Sequence, residues 1–283
     1  MNNIIKLILL FNLLFVFEIG ISQNKNSYDL NTSLMLNTYK IIGNGSQGTC
    51  FLIADNITDT TYKYILVTTT HVLSGIVGDT AILILRKKTG DIYNKLEYKI
   101  AIRSKNNNFY ISHKNADVSV MYIPWPSSAH IGPTIPDYLL ADDNVIKRNN
   151  ITSGFEVRCL GYPLNFEANN AGFPILRSGN IASFPLYPSK AYPTFLVDFK
   201  IFKGNSGGPV YYSRDEFKSV ITYGNGGFKS LRYILGIVSQ ERVLRENKST
   251  IYEVESKVTQ MDIAVVINAN YIKELINDLK LTK

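Results

Sequence analysis

Cysteine and histidine are both scarce in this chain. Its 283 residues contain only Cys50 and Cys159, and only His71, His113 and His130. There is no Cys-x-x-Cys pair and no pair of histidines at metal-ligand spacing, so nothing argues for a zinc site. Both cysteines sit inside apolar runs, where a bridge and two buried thiols are both compatible with the sequence. Blocks of one charge are also missing. Lys and Arg number 30 against 23 Asp and Glu, a formal net charge of +7, but they are scattered. No basic block is interleaved with aromatics, as a nucleic-acid surface would need, so no nucleic-acid partner is expected. After the first twenty-odd residues no run is long and apolar enough to cross a bilayer.

With 45% apolar and 19% charged residues, the composition is that of a globular protein. The N-terminus stands apart. Lys6 is followed by an apolar stretch from Leu7 to Phe17, and small residues, Gly20 and Ser22, close it. That pattern predicts a secretory signal over residues 1–22. It implies a secreted or periplasmic protein with no stable membrane association once the signal is removed. An N-terminal segment, 23–33, would follow.

The mature chain reads as a series of short β-type runs rich in Ile, Val, Thr, Tyr and Leu, separated by turn residues. Six fall at 34–42, 49–54, 62–69, 79–87, 96–103 and 117–123. A polar segment with Pro124, Pro126, Pro133 and Pro136 then reads as a connector over 124–153. Six more runs fall at 155–161, 175–182, 194–201, 208–213, 230–239 and 262–267. The expected architecture is all-β: two six-stranded antiparallel β-barrels, at 34–123 and 154–283, with a C-terminal α-helix. The helix follows from Ile272, Leu275, Ile276 and Leu279 at helical spacing, with Asn268 or Asn270 as its cap. It is expected to lie against the second barrel.

The sharpest chemical signal is Gly204-Asn-Ser-Gly-Gly-Pro209, between two β runs. A serine hydroxyl needs a base to take its proton and backbone donors to stabilise the oxyanion. Glycines permit the tight turn and leave the N–H groups of Gly204 and Ser206 unobstructed. His71, at the end of Ile65-Leu-Val-Thr-Thr-Thr-His, is the candidate base. His113 and His130 lie in polar and proline-bearing stretches and read as structural or surface residues. Asp117 opens the period-2 run Asp-Val-Ser-Val-Met, where an acid needs a partner such as an imidazole N–H.

Two other motifs are weaker. Gly43-Asn-Gly-Ser-Gln-Gly48 matches a dinucleotide fingerprint, but a β-type run follows it and not the helix such a site requires. Gly204-Asn-Ser-Gly-Gly also fits the nucleophile elbow of α/β-hydrolases. Those enzymes place histidine last, and here every histidine precedes Ser206.

With these residues in view, the chain resembles the chymotrypsin-fold, trypsin-like serine proteases, especially bacterial ones of the high-temperature-requirement and glutamyl-endopeptidase kinds. The order His, Asp, Ser is theirs. Thr49-Cys-Phe-Leu-Ile, Val67-Thr-Thr-Thr-His, Asp117-Val-Ser-Val, Gly161-Tyr-Pro and Leu235-Gly-Ile-Val-Ser239 match family motifs in order, across roughly residues 34–280. The resemblance implies two barrels with a cleft between them and a serine endopeptidase that uses His71, Asp117 and Ser206. Gly204 and Ser206 would donate to the oxyanion, and no cofactor or metal would be needed. It also implies that an extended polypeptide substrate binds by strand addition beside Ser239. Gln240 and Glu241 would narrow the specificity pocket, and Lys200 would lie near its floor. Animal digestive members carry an acid before the serine, which pairs with a freed N-terminus; here that residue is Asn205. The short sequence after the helix leads us to expect no appended peptide-binding domain. The competing expectation is a catalytically inactive two-barrel protein that captures extended peptides.

Overall fold

The computed structural model describes residues 29–56, 62–105, 107–218, 227–249 and 254–281. The expected signal, 1–22, lies outside the described residues. Side chains at 214–218, 227–230, 241–249 and 254–260, and those of Asn56 and Tyr62, also lie outside them.

The described chain opens with helix α1 (Leu30–Asn37). It continues through β1 (Thr38–Asn44), β2 (Ser46–Asn56) and β3 (Tyr62–Thr68) to the short helix α2 (Thr70–Ser74). Next come β4 (Val77–Thr89), β5 (Ile92–Ala101) and the small hairpin β6 (Arg103–Ser104) and β7 (Asn107–Asn108). Strands β8 (Ile111–Ser112) and β9 (Ser119–Ile123) complete the first unit. The connector carries α3 (Asp143–Arg148), which Asp142 caps by accepting from Val145 N–H. The second unit holds β10 (Glu156–Gly161), β11 (Ile175–Asn180), β12 (Thr194–Val197), β13 (Pro209–Lys218), β14 (Gly227–Ser249) and β15 (Val254–Asn268). Helix α4 (Ala269–Leu281) follows.

The fold is all-β, two barrels of the chymotrypsin-like kind with a C-terminal helix. The first sheet runs β5-β4-β1-β2-β3-β9-β8, and the second runs β11-β10-β13-β14-β15-β12. The pairings with a described register are all antiparallel. The second sheet closes through an Ile181–Val197 bridge. The first closes loosely where Phe109 N–H donates to Ile102 O, 2.9 Å. Its seventh strand is the two-residue β8, too short to show in a propensity reading.

Three apolar clusters explain the run composition. Cys50, Leu52 and Leu66 point into the first barrel, while Phe51, Ile53, Ile65 and Val67 pack between the barrels. In the same way Val157, Cys159 and Val238 fill the second barrel, while Leu160 and Ile237 face the junction. A strand buried on both faces loses its polar alternation, which is why these segments read as near-continuous apolar runs. Cys50 and Cys159 are free, buried thiols in different barrels.

Two expectations change. The run 34–42 divides, with its first four residues in α1 and its remainder in β1. Asp29 starts the helix by accepting from Thr32 N–H, 3.0 Å, and Leu30 and Leu34 bury one face at i, i+4. Helix α4 also does more than cover the second barrel. Its apolar face joins the cluster between the barrels, and Lys280 pairs with Asp55 of β2 and Asp137 of the connector. Asn268 occupies the expected cap and accepts from Asn270 N–H, 3.0 Å. Among the described residues no helix is long and apolar enough to cross a membrane.

Candidate active site

The cleft lies between the barrels and has a volume of about 450 Å³. Its lining is His71, Asp117, Ile201, Phe202, Lys203, Ser206, Ser239 and Gln240. These eight residues come from four separate parts of the chain.

His71 sits on α2, the helical turn that follows β3. Asp117 sits just before β9, which pairs with β3 from Thr68↔Ser119 onward. That register carries the two side chains together. His71 Nδ1 is 2.6 Å from Asp117 Oδ2, and His71 N–H donates to Asp117 Oδ1 at 2.9 Å. An ionised carboxylate only accepts, so the proton rests on Nδ1 and the Nε2 lone pair is free to act as base. Ser239 Oγ donates to Asp117 Oδ2 at 2.9 Å. Burial works to raise the Asp117 carboxyl. The hydrogen bonds from the His71 ring, the His71 N–H and the Ser239 hydroxyl outweigh it, and the group is held below the usual carboxylate range. The Asp117 side chain is one-third exposed (33%), and that of His71 is 49% exposed, because the cleft is open above them.

Ser206 lies in the turn that enters β13. Its carbonyl accepts from Thr49 N–H at 2.8 Å, and Thr49 Oγ1 donates to Gly204 O at 2.7 Å. Thr68 Oγ1 in turn donates to Thr49 O, 2.7 Å. So the first barrel grips the turn that the second barrel presents. Gly207 has φ +87°, and a Cβ there would lie 2.0 Å from Thr49 O. Gly204 has φ +101°, and a Cβ there would meet Tyr162 O at 2.3 Å. Both positions require glycine. Among the described residues, neither Gly204 N–H nor Ser206 N–H finds an acceptor. The Ser206 hydroxyl donates to Ser239 O at 2.9 Å and not to the His71 ring.

Of the residues expected to bind substrate, Ser239 and Gln240 line the cleft. Glu241 continues β14 opposite Ala264, and its side chain lies outside the described residues. Lys200 does not join the cleft. Its ammonium is 3.2 Å from Asp262 Oδ1 and 5.6 Å from the Phe202 ring centroid. Asp262 adopts a left-handed backbone, φ 52°, and no sequence signal placed it beside Lys200. Ile201, Phe202 and Lys203 supply the wall instead. Their adjacency to the serine motif was the available signal. His113 is structural, as expected: its Nδ1 accepts from Asn115 N–H, and its Nε2 faces Glu274 of α4 at 3.2 Å. His130 packs edge-on to Tyr93, 5.4 Å between centroids. Among the described residues no group of three or more His, Cys, Asp or Glu is placed to hold a metal ion.

No family model matches the chain, and no curated protein matches it. Solved structures do. One, Rv3671c from M. tuberculosis H37Rv, is the inactive form of a serine-to-alanine mutant. It is 14% identical, covers 88% of this chain and 89% of its own, and superposes with a TM-score of 0.43.

Proposed function

We propose that this chain is a secreted serine endopeptidase that hydrolyses peptide bonds through an acyl-enzyme. The observation that carries this reading is a single constellation. An imidazole is hydrogen-bonded to a carboxylate at 2.6 Å, and a serine stands on a glycine turn whose two N–H groups have no acceptor among the described residues.

The chemistry follows from the placement. An extended substrate strand presents a main-chain N–H to Ser239 O and displaces the Ser206 hydroxyl from it. The freed hydroxyl turns to His71 Nε2. His71 takes its proton as Oγ attacks the carbonyl carbon, and Asp117 stabilises the imidazolium. The N–H groups of Gly204 and Ser206 stabilise the oxyanion, a contribution of about 10²–10³ in turnover per donor. Collapse returns the proton to the leaving amine, and water repeats the sequence on the acyl-enzyme. No cofactor or metal takes part in these steps. Residues 1–22 support export, and with it a secreted or periplasmic location.

One observation favours a second reading, a two-barrel protein that binds extended peptides without cutting them. The Ser206 hydroxyl is committed to Ser239 O, and a binder would have no need to release it. Casein hydrolysis by the mature chain, beside Ser206→Ala, separates the two. Cleavage by the parent alone supports the endopeptidase. An inert parent that a serine-directed phosphonate also fails to label supports the binder.

A further inference from the structure

Arg86 of β4 is a cation buried to 1% exposure, and no carboxylate pairs with it among the described residues. Such a charge persists only where hydrogen bonds replace water. Its guanidinium donates to Gly172 O (2.9 Å), Leu36 O (2.8 Å), Thr38 O (3.0 Å) and, more weakly, Met35 O (3.4 Å). It lies over the rings of Tyr39 (4.5 Å) and Phe173 (4.3 Å). So one side chain of the first barrel holds both the end of α1 and the loop 162–173 that leaves β10.

That loop is the wall behind the oxyanion turn. Leu164 N–H donates to Lys203 O at 2.7 Å. In a trans peptide the C=O and N–H point in opposite directions. Fixing Lys203 O toward Leu164 therefore turns Gly204 N–H away from the loop, and it has no acceptor among the described residues. If the peptide flipped, that N–H would be lost as a donor. The loop needs external support to keep its shape, because Leu164 and Asn165 both hold left-handed φ, 50° and 67°. Asn205, where animal digestive members of the resembled family carry an acid, is uncharged and supplies no ion pair to fix the turn, and its buried amide nitrogen has no partner among the described residues.

We propose that Arg86 is a positioning residue for the oxyanion turn. It fastens the loop 162–173 through Gly172, and the loop fixes the Lys203–Gly204 peptide. The role of that peptide rests on the endopeptidase reading; the mechanical linkage does not. Midway along the loop Glu167, held by Lys40 and Lys95, forms a second clamp.

The test is hydrogen exchange by mass spectrometry on the mature chain and on Arg86→Met, with kcat and KM on a peptide substrate. Faster exchange in both 162–173 and 202–208, with Thr194–Val197 unchanged, is the expected result. With it, kcat falls about 100-fold at nearly constant KM, and Arg86→Lys recovers part of the loss. Unchanged exchange in 202–208, or unchanged kcat, overturns the proposal. If Arg86→Met does not fold, Glu167→Gln loosens the same loop by removing its charge from Lys40 and Lys95 and is scored by the same two segments. A parent that never cuts counts against the endopeptidase reading alone, and the exchange data still decide the linkage.

Discussion

Ser239 touches both ends of the His71–Asp117–Ser206 constellation. Its hydroxyl donates to Asp117 Oδ2 and its carbonyl accepts from Ser206 Oγ, each at 2.9 Å. The two contacts use different atoms and can be separated by mutation. Ser239→Ala removes the first and keeps the second. Loss of one hydrogen bond to a charged group, about 1.5–3 kcal/mol, predicts a fall in kcat of about 10- to 100-fold. KM should stay nearly constant, because the carbonyl proposed to bind substrate remains. Steady-state kinetics on a peptide substrate check the split; a rise in KM at constant kcat would count against it.

Removing the triad itself gives the largest effects. Ser206→Ala and His71→Ala should each reduce kcat by about 10⁶-fold, and the double variant should be no worse than either single one, because the groups act as a unit. Asp117→Asn should cost about 10⁴-fold by favouring the wrong imidazole tautomer. Additive losses in the double variant would mean that the residues act separately.

The glycine turn supplies a stability prediction. Gly207→Ala places a Cβ 2.0 Å from Thr49 O at φ +87°. Both the strain and the clash oppose it, so a loss above about 1 kcal/mol is expected, read as a lowered Tm. A Tm equal to the parent's would show that the turn adapts.

Acid should weaken the fold through Glu167. Burial works to raise this carboxyl, but hydrogen bonds and charge from Lys40 and Lys95 overcome it and hold it below the ordinary glutamate range. A depressed folded pKa means the unfolded chain binds the proton more readily. The contribution is therefore present above the unfolded value, about 4.3, and is lost as pH falls through the folded one. Denaturant midpoints for the parent and Glu167→Gln, measured between pH 3 and pH 7, should converge at the acid end and separate at neutrality. Parallel curves would remove Glu167 from the acid response.

Specificity should follow the cleft wall and not Lys200. Lys200 is engaged with Asp262 outside the lining, so Lys200→Gln should leave the profile of cut sites in a peptide library unchanged. Phe202→Ala, within the wall, should broaden or shift it. A Lys200→Gln profile that lost acidic residues before the cut would restore Lys200 to the pocket.

The chain's local patterns were enough to determine much of this protein. Period-2 and apolar runs gave the two-barrel class, and the i, i+3, i+4, i+7 spacing gave helix α4. Having three histidines and one Gly-Asn-Ser-Gly-Gly turn narrowed the candidate triad to His71, Asp117 and Ser206, which the structure brings to one cleft. Those signals are local, and each residue type carries its own chemistry. Only the tertiary structure decided the contacts between segments distant in the chain. The β3–β9 register placed His71 on Asp117. Packing of both strand faces set α4 across both barrels. Lys200 pairs with Asp262 outside the cleft lining, and burial joined Arg86 to Gly172, 86 residues away. Such contacts leave no local period or composition, because they depend on which surfaces the closed barrels bring together.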